Sequence, residues 1–235
     1  MVMGVGYNPR IVTDGLVLCL DAANKRSYPG SGTTWIDKVG GNDGTLTNGP
    51  TFNGTNGGYI VIDGTNDSIN MSADSITPSL PVSLSCWVYF DNTGSWVQLF
   101  HTSSGSSVYS GLWMQKTYQD KFSISFGDNL GGGNGNYRRS KNSTQSLDIG
   151  RWLNLVAIVR GATDMDLYVD GINYAGSYSG LGGSLDYITG GVPRIGYINT
   201  SYGSSFKISE MLIYNKALTA DEVRQNYEAT KGRYA

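Results

Sequence analysis

Histidine is nearly absent from this 235-residue chain, and thiols, excess charge and long apolar runs are scarce as well. It has one histidine, His101, and two cysteines, Cys19 and Cys86. Any nucleophile that needs an imidazole base would therefore have to use His101. No G-x-S-x-G elbow is present, since GSYSG at 176–180 carries Tyr178 where the serine belongs. Two cysteines cannot build a four-thiolate zinc site. Both stand in strand-like apolar runs and read as buried small hydrophobes rather than a disulfide. Charged residues are 15% of the chain and the formal net charge is −2, so no strong field draws nucleic acid or an acidic membrane. No apolar run approaches the ~20 residues of a membrane-spanning helix. The opening MVMGVGYNPRIV lacks a basic stretch followed by a long apolar one, so an export signal is not expected. The glycine-rich LGGGNG at 130–135 lacks the Lys-Ser/Thr of a phosphate loop.

What the chain has in abundance is Gly (33) and Tyr (16), with many Ser, Thr and Asn residues, a composition of strands joined by tight turns. GLVLCL (15–20) is a continuous apolar run, expected for a strand covered on both faces. VSLSCWVYF (82–90) and FSISF (122–126) alternate with period two, which predicts strands with one apolar face. Turn clusters such as GGNDG (40–44), DGTND (63–67) and LGGS (181–184) separate them. Many short strands without intervening helices predict an all-β, antiparallel two-sheet sandwich, with residues 1–235 forming one domain. ALTADEVRQNYEATKG (217–232) differs. Thr219 and Glu222 form a capping box, Val223 and Tyr227 share a stripe, and Gly232 suits a helix end. A short helix at about 220–230 should dock on the sandwich.

RWLNLVAIVRGATDMDLYVDG (151–171) gathers Asp164, Asp166 and Asp170. A helix–loop–helix calcium site starting at Asp164 would need an oxygen ligand at 168 and glycine at 169, where Tyr168 and Val169 stand. That site is excluded. WLNLVAIVR predicts a doubly buried strand, MDLYV a second one, and Asp170-Gly171 a type I′ hairpin turn. On this reading Asp164 and Asp170 are turn carboxylates bonded to nearby amides, and only Asp166 lies in a strand.

YIVIDGTNDSINM (59–71), VSLSCWVYF, GRWLNLVAIVRGATDMDLYVDG (150–171), RIGY (194–197) and FKISEMLIYNKALTADEVRQNY (206–227) occur in the order of a laminin-G-like domain. The chain thus resembles the concanavalin A-like lectin and glucanase superfamily over nearly its whole length. The resemblance implies a jelly roll of two curved, stacked antiparallel sheets. It departs from the family at Asn154, where histidine is frequent, and at Ser68, where an aromatic is frequent. IVTDGLVLCLDAANKRSYPGSGTTW, with GNDGTLTNGPTFNG downstream, is similar to laminin-G-like domains of tailed-bacteriophage virion proteins.

Glucanases of that superfamily pair carboxylates on one strand. Here Glu222 and Glu228 belong to the expected helix, and Glu210 has no acidic neighbour two or four residues away. Asp164/Asp166 is a weaker formal alternative. The chain is therefore expected to be non-enzymatic. The resemblance admits calcium at the sandwich rim, with Asp63, Asp67, Asp120 and Asp128 in plausible loops, although these residues read first as turn carboxylates. No cofactor is expected to be required, and no metal ligands are assigned. For sugar binding, aromatic rings would serve as stacking platforms, and Trp96, Trp113 and Tyr118 are the candidates, weighed against packing roles. NYRRSKN (136–142), a basic cluster, reads as a solvated loop. The expected function is a bacteriophage structural protein in the capsid decoration, tail or fibre. It would assemble in the host cytoplasm with other virion proteins and copies of itself, without nucleic acid or membrane partners. The alternative is a carbohydrate-binding module that recognises host glycans, and a glycoside hydrolase or lyase ranks last.

Overall fold

Period-two alternation decides which side of each strand enters the core. From Val82–Phe90, Val82, Leu84, Cys86, Val88 and Phe90 join the main core, while Trp87 turns outward into a separate aromatic cluster. Phe122, Ile124 and Phe126 enter the same core, and Ser123 and Ser125 between them face away. The computed structural model describes residues 9–102, 108–132, 135–196 and 205–234.

Two antiparallel sheets result, of eight and nine strands among the described residues. The back sheet runs Ile172–Tyr174, Asp164–Val169, Trp152–Gly161, Val82–Phe90, Phe206–Tyr214, Tyr59–Ile62 and Thr51–Asn53. Leu16–Asp21 also pairs with Phe206–Tyr214. The front sheet runs Gly176–Ser179, Arg138–Ser146, Lys121–Gly132, Val108–Lys116, Val97–His101, Arg194–Gly196, Ser68–Asn70, Gly44–Thr47 and Thr34–Trp35. Their inner faces enclose one large apolar core, as expected of the concanavalin A-like sandwich.

The back sheet is covered on its outer side too. Leu153, Leu155, Ala157 and Val159 enter the main core, while Val156 and Ile158 pack outward with Val12, Tyr214, Leu218 and Val223. The unbroken apolar run of this strand follows from having two buried faces. Its outer cover is the helix Ala220–Thr230. Thr219 Oγ1 accepts from the Glu222 amide at 3.2 Å, and the Thr219 amide donates to Glu222 Oε2 at 2.8 Å, completing the capping box. Gly232 does not end the helix. The chain passes instead into a 3-10 turn, Lys231–Arg233. Among the described residues no helix is long and apolar enough to cross a membrane.

The Asp164–Asp170 stretch resolves into two arrangements. Asp170 (φ 53°) and Gly171 (φ 77°) both hold the left-handed conformation that a type I′ turn requires. Asp164 is the first residue of its strand, and its carboxylate and that of Asp166 accept from Arg160 Nη1 at 3.0 and 2.8 Å. An ion pair therefore replaces the expected turn amide at Asp164. The basic cluster differs as well. Arg138–Ser146 is a strand, with Arg139 and Lys141 stacked on the Tyr178 ring at 4.9 and 5.3 Å. Their stems close the open edge of the core.

Lys116 is a buried cation that the sequence pattern does not reveal. Its Nζ donates to Ser95 O at 2.8 Å and to Asp120 Oδ1 at 2.5 Å, beside the Phe90 ring. Removing the anion leaves a charge in the core margin without its partner, the costly case for buried pairs. Asp120→Asn is expected to lower unfolding stability by about 3 kcal/mol. The double variant Lys116→Met/Asp120→Asn should recover most of that loss, as measured by denaturant unfolding.

Candidate functional site

The front sheet is apolar inside and polar outside, and its register lines up the outward side chains into rows. Directly paired residues run Thr45, Asn70, Arg194, His101, Trp113, Ser125, Ser140 and Ser179. A second row runs Gln98, Gln115, Ser123, Asn142 and Ser177. Each row crosses the strands at a right angle to the chain direction, with neighbours about 5 Å apart. Small serines lie between long amides, and so Ser123 is 0% and Gln98 4% exposed.

Some of these groups satisfy one another. Gln98 Nε2 donates to Gln115 Oε1 at 2.8 Å, Ser125 Oγ to Ser140 Oγ at 2.7 Å, and Asn70 Nδ2 to Thr47 Oγ1 at 3.1 Å. Others have no hydrogen-bond partner among the described residues: Gln98 Oε1, Ser123 Oγ, Asn70 Oδ1 and Arg194 Nε. Buried polar atoms are normally paired, because losing water without a replacement costs about 1–3 kcal/mol each. Donors and acceptors set in rows beside an indole suit a ligand rich in hydroxyl groups.

Trp113, proposed from sequence, sits in the middle of the first row. It is 8% exposed, stacked on Tyr109 at 5.6 Å and 20°, with the Arg138 guanidinium 5.1 Å over the Tyr109 ring. Trp96 and Tyr118 lie elsewhere. Both adjoin the Val97–Lys116 pair at one end of the sheet, about 10 Å along the strand from Trp113. Tyr118 is 63% exposed and Trp96 half-buried. Only Trp113 lies within a strand, and the three residues do not meet at one point.

The calcium candidates serve local structure. Asp67 accepts from the Asp63 amide, Asp63 from the Thr65 amide, Asp128 from the Leu130 amide, and Asp120 from Gly94 and Lys116. Among the described residues no three His, Cys, Asp or Glu side chains gather as metal ligands.

One acidic pair was invisible along the sequence. On the outer side of the back sheet, Glu210 lies directly across the ladder from Asp21. Arg233 joins them, with Nη1 3.0 Å from Asp21 Oδ1 and 3.7 Å from Glu210 Oε1. Burial pushes the Glu210 carboxyl up to about 8. The Asp21 charge adds to the rise, and Arg233 opposes it without cancelling it. Searching two and four residues along one strand misses a pair formed between strands.

A family model of the concanavalin A-like lectin/glucanases superfamily, laminin-G type, matches residues 63–224. A search of curated proteins finds no match. Among solved structures, a mutant Trypanosoma rangeli sialidase displaying trans-sialidase activity superposes with a TM-score of 0.66 at 15% identity, over 94% of this chain and 34% of its own. The Trypanosoma rangeli sialidase in complex with sialic acid gives 0.65 at 16%, over 100% and 36%. The HCR/D F1240A mutant gives 0.67 at 14%, over 93% and 52%. The chain thus spans about a third of the length of these sialidases. At such identities the likeness shows the fold. It still corrects the expectation of a non-enzymatic chain. A similar body occurs within Trypanosoma rangeli sialidases, so an expectation drawn from missing same-strand carboxylates does not stand.

The Glu210 shift has a consequence for stability. Its carboxyl binds a proton more tightly folded than unfolded, so the folded chain holds more protons between pH ~4.5 and ~8. Stability from this group is full below that window and falls as pH rises through it. Thermal unfolding of the native chain should show that decline, and Glu210→Gln should flatten it. An unchanged slope in the variant would contradict the assignment.

Proposed function

The chain belongs to the laminin-G family of the concanavalin A-like lectin/glucanases superfamily, and on that premise we propose that it is a carbohydrate-binding module that holds a glycan against the outward face of its front sheet. The observation that carries this reading is the polar row through Trp113, in which half-buried Asn70 and Arg194 keep part of their side chains open, with half-buried Asn142 in the row beside it. Sugar hydroxyls both donate and accept, so one saccharide can satisfy amide oxygens, a hydroxyl and a guanidinium together. The rows extend across several strands, which favours a chain of sugars over a single ring. The Trp113–Tyr109 stack supplies the apolar surface on which a pyranose face rests. Calcium at the rim is an accessory within this proposal, and the binding rows themselves do not need it.

A second reading concerns where such a module works. The stretch similar to virion proteins begins before the matched family segment, yet it is built into both sheets through Leu16–Asp21, Thr34–Trp35 and Gly44–Thr47. We therefore propose a place on a bacteriophage particle, among other virion proteins and copies of itself, with glycans of the host surface as the ligand.

A glycan array is expected to give selective binding to an oligosaccharide, weakened about tenfold by Trp113→Ala. Absence of binding to every glycan, with and without calcium, would contradict the recognition reading. Mass spectrometry of purified particles should find the chain in the virion, and its absence there would remove the second reading alone.

A further inference from the structure

Six aromatic rings collect on the outer side of the back sheet, remote from the front face. Trp87 lies at their centre, with Tyr234 stacked on it at 4.1 Å and 26° and Tyr227 at 5.8 Å and 19°. Trp152 touches Tyr234 at 5.0 Å, Tyr59 at 5.3 Å and Tyr89 at 5.9 Å. This exceeds what docking a short helix requires, and the apolar packing of that helix is already supplied by Val223, Leu218 and Tyr214.

Four of the rings, Trp87, Trp152, Tyr227 and Tyr234, line a cleft of about 330 Å³ whose rim carries Arg151, Asp170 and Lys231. That volume lies at the small end of ordinary ligand sites. The walls are held in place. Trp87 Nε1 donates to Thr230 Oγ1 at 2.8 Å, and the Tyr234 hydroxyl donates to Ser209 Oγ at 2.8 Å. Half-buried Tyr227 and Tyr234 keep part of their ring surface open.

Both rim cations are already paired. Arg151 bonds Asp170 at 2.6 Å and Asp148 at 2.8 Å, and Lys231 bonds Glu228 at 2.6 Å. No cation is left over to pay the desolvation cost of an incoming anion. Paired carboxylates and guanidinium groups can still accept from and donate to hydroxyls. We propose that this cleft is a second ligand site, for one uncharged pyranose ring stacked on tyrosine and hydrogen-bonded by Arg151 and Asp170. It lies on the opposite sheet from the proposed glycan face and does not depend on that reading.

The test uses the whole chain and titrates methyl glycosides of glucose, galactose, mannose and N-acetylglucosamine, with glucuronic acid as the anionic counterpart. Tryptophan fluorescence reports on Trp87 and Trp152. At least one neutral glycoside should bind saturably at millimolar concentration, more tightly than glucuronic acid. Tyr227→Ala should weaken it about tenfold, the scale of a lost stacking contact. Because Tyr227 also packs the helix, Gly232→Leu provides a second variant. Gly232 lines the cleft, and a Cβ there meets nothing within 4 Å, so the fold should tolerate the change while the cleft fills. Trp113→Ala should leave this binding intact. The proposal is overturned by no binding of any neutral glycoside, by stronger binding of glucuronic acid, by binding indifferent to Tyr227→Ala and Gly232→Leu, or by binding lost in Trp113→Ala.

Discussion

The burial of Leu112, Met114, Phe122, Ile124 and Phe126 against the back sheet governs what the front sheet can do. A strand has two faces, and once those residues turn inward, Trp113, Gln115, Ser123 and Ser125 must turn outward. Antiparallel register then places His101 beside Trp113, Trp113 beside Ser125 and Ser125 beside Ser140. The polar rows are thus a product of core packing. A one-residue slip in Lys121–Gly132 would exchange phenylalanine for serine in the core, and the hydrophobic cost of that exchange keeps the rows in place.

The back sheet solves a different problem. Its central strand is apolar on both sides and needs a second cover, which the helix and the segment after it provide. The segment's Arg233 meets Asp21 and Glu210, while its Tyr234 stacks on Trp87. One short stretch thus closes an acidic pair and builds an aromatic wall. The two outer surfaces consequently differ in chemistry, with amide and hydroxyl rows on one and stacked rings with paired ions on the other.

Much of the fold was legible because side-chain period and secondary structure coincide in this chain. VSLSCWVYF and FSISF alternate as half-apolar strands should, and Thr219 with Glu222 announces the helix start. Arg138–Ser146 escaped detection because RRSKNSTQS has no apolar residue to mark its inner face, and arginine and lysine stems fill that role. Leu112 and Met114 alternate with Trp113 along their strand, and that period alone turns Trp113 outward. Its ladder partners His101 and Ser125, and Arg194 beyond His101, were not legible, since strand order sets them and local sequence does not encode strand order. The same limit hid Asp21 from Glu210 and Tyr234 from Trp87.

The central claim is that the outward rows of the front sheet form the surface that meets a glycan. Nuclear magnetic resonance mapping, with the tightest oligosaccharide from an array titrated into labelled protein, tests it most directly. The side-chain amide signals of Gln98 and Asn70 and the indole signal of Trp113 should shift saturably and together. Saturable shifts confined to other residues, with those three signals unmoved, would contradict the account.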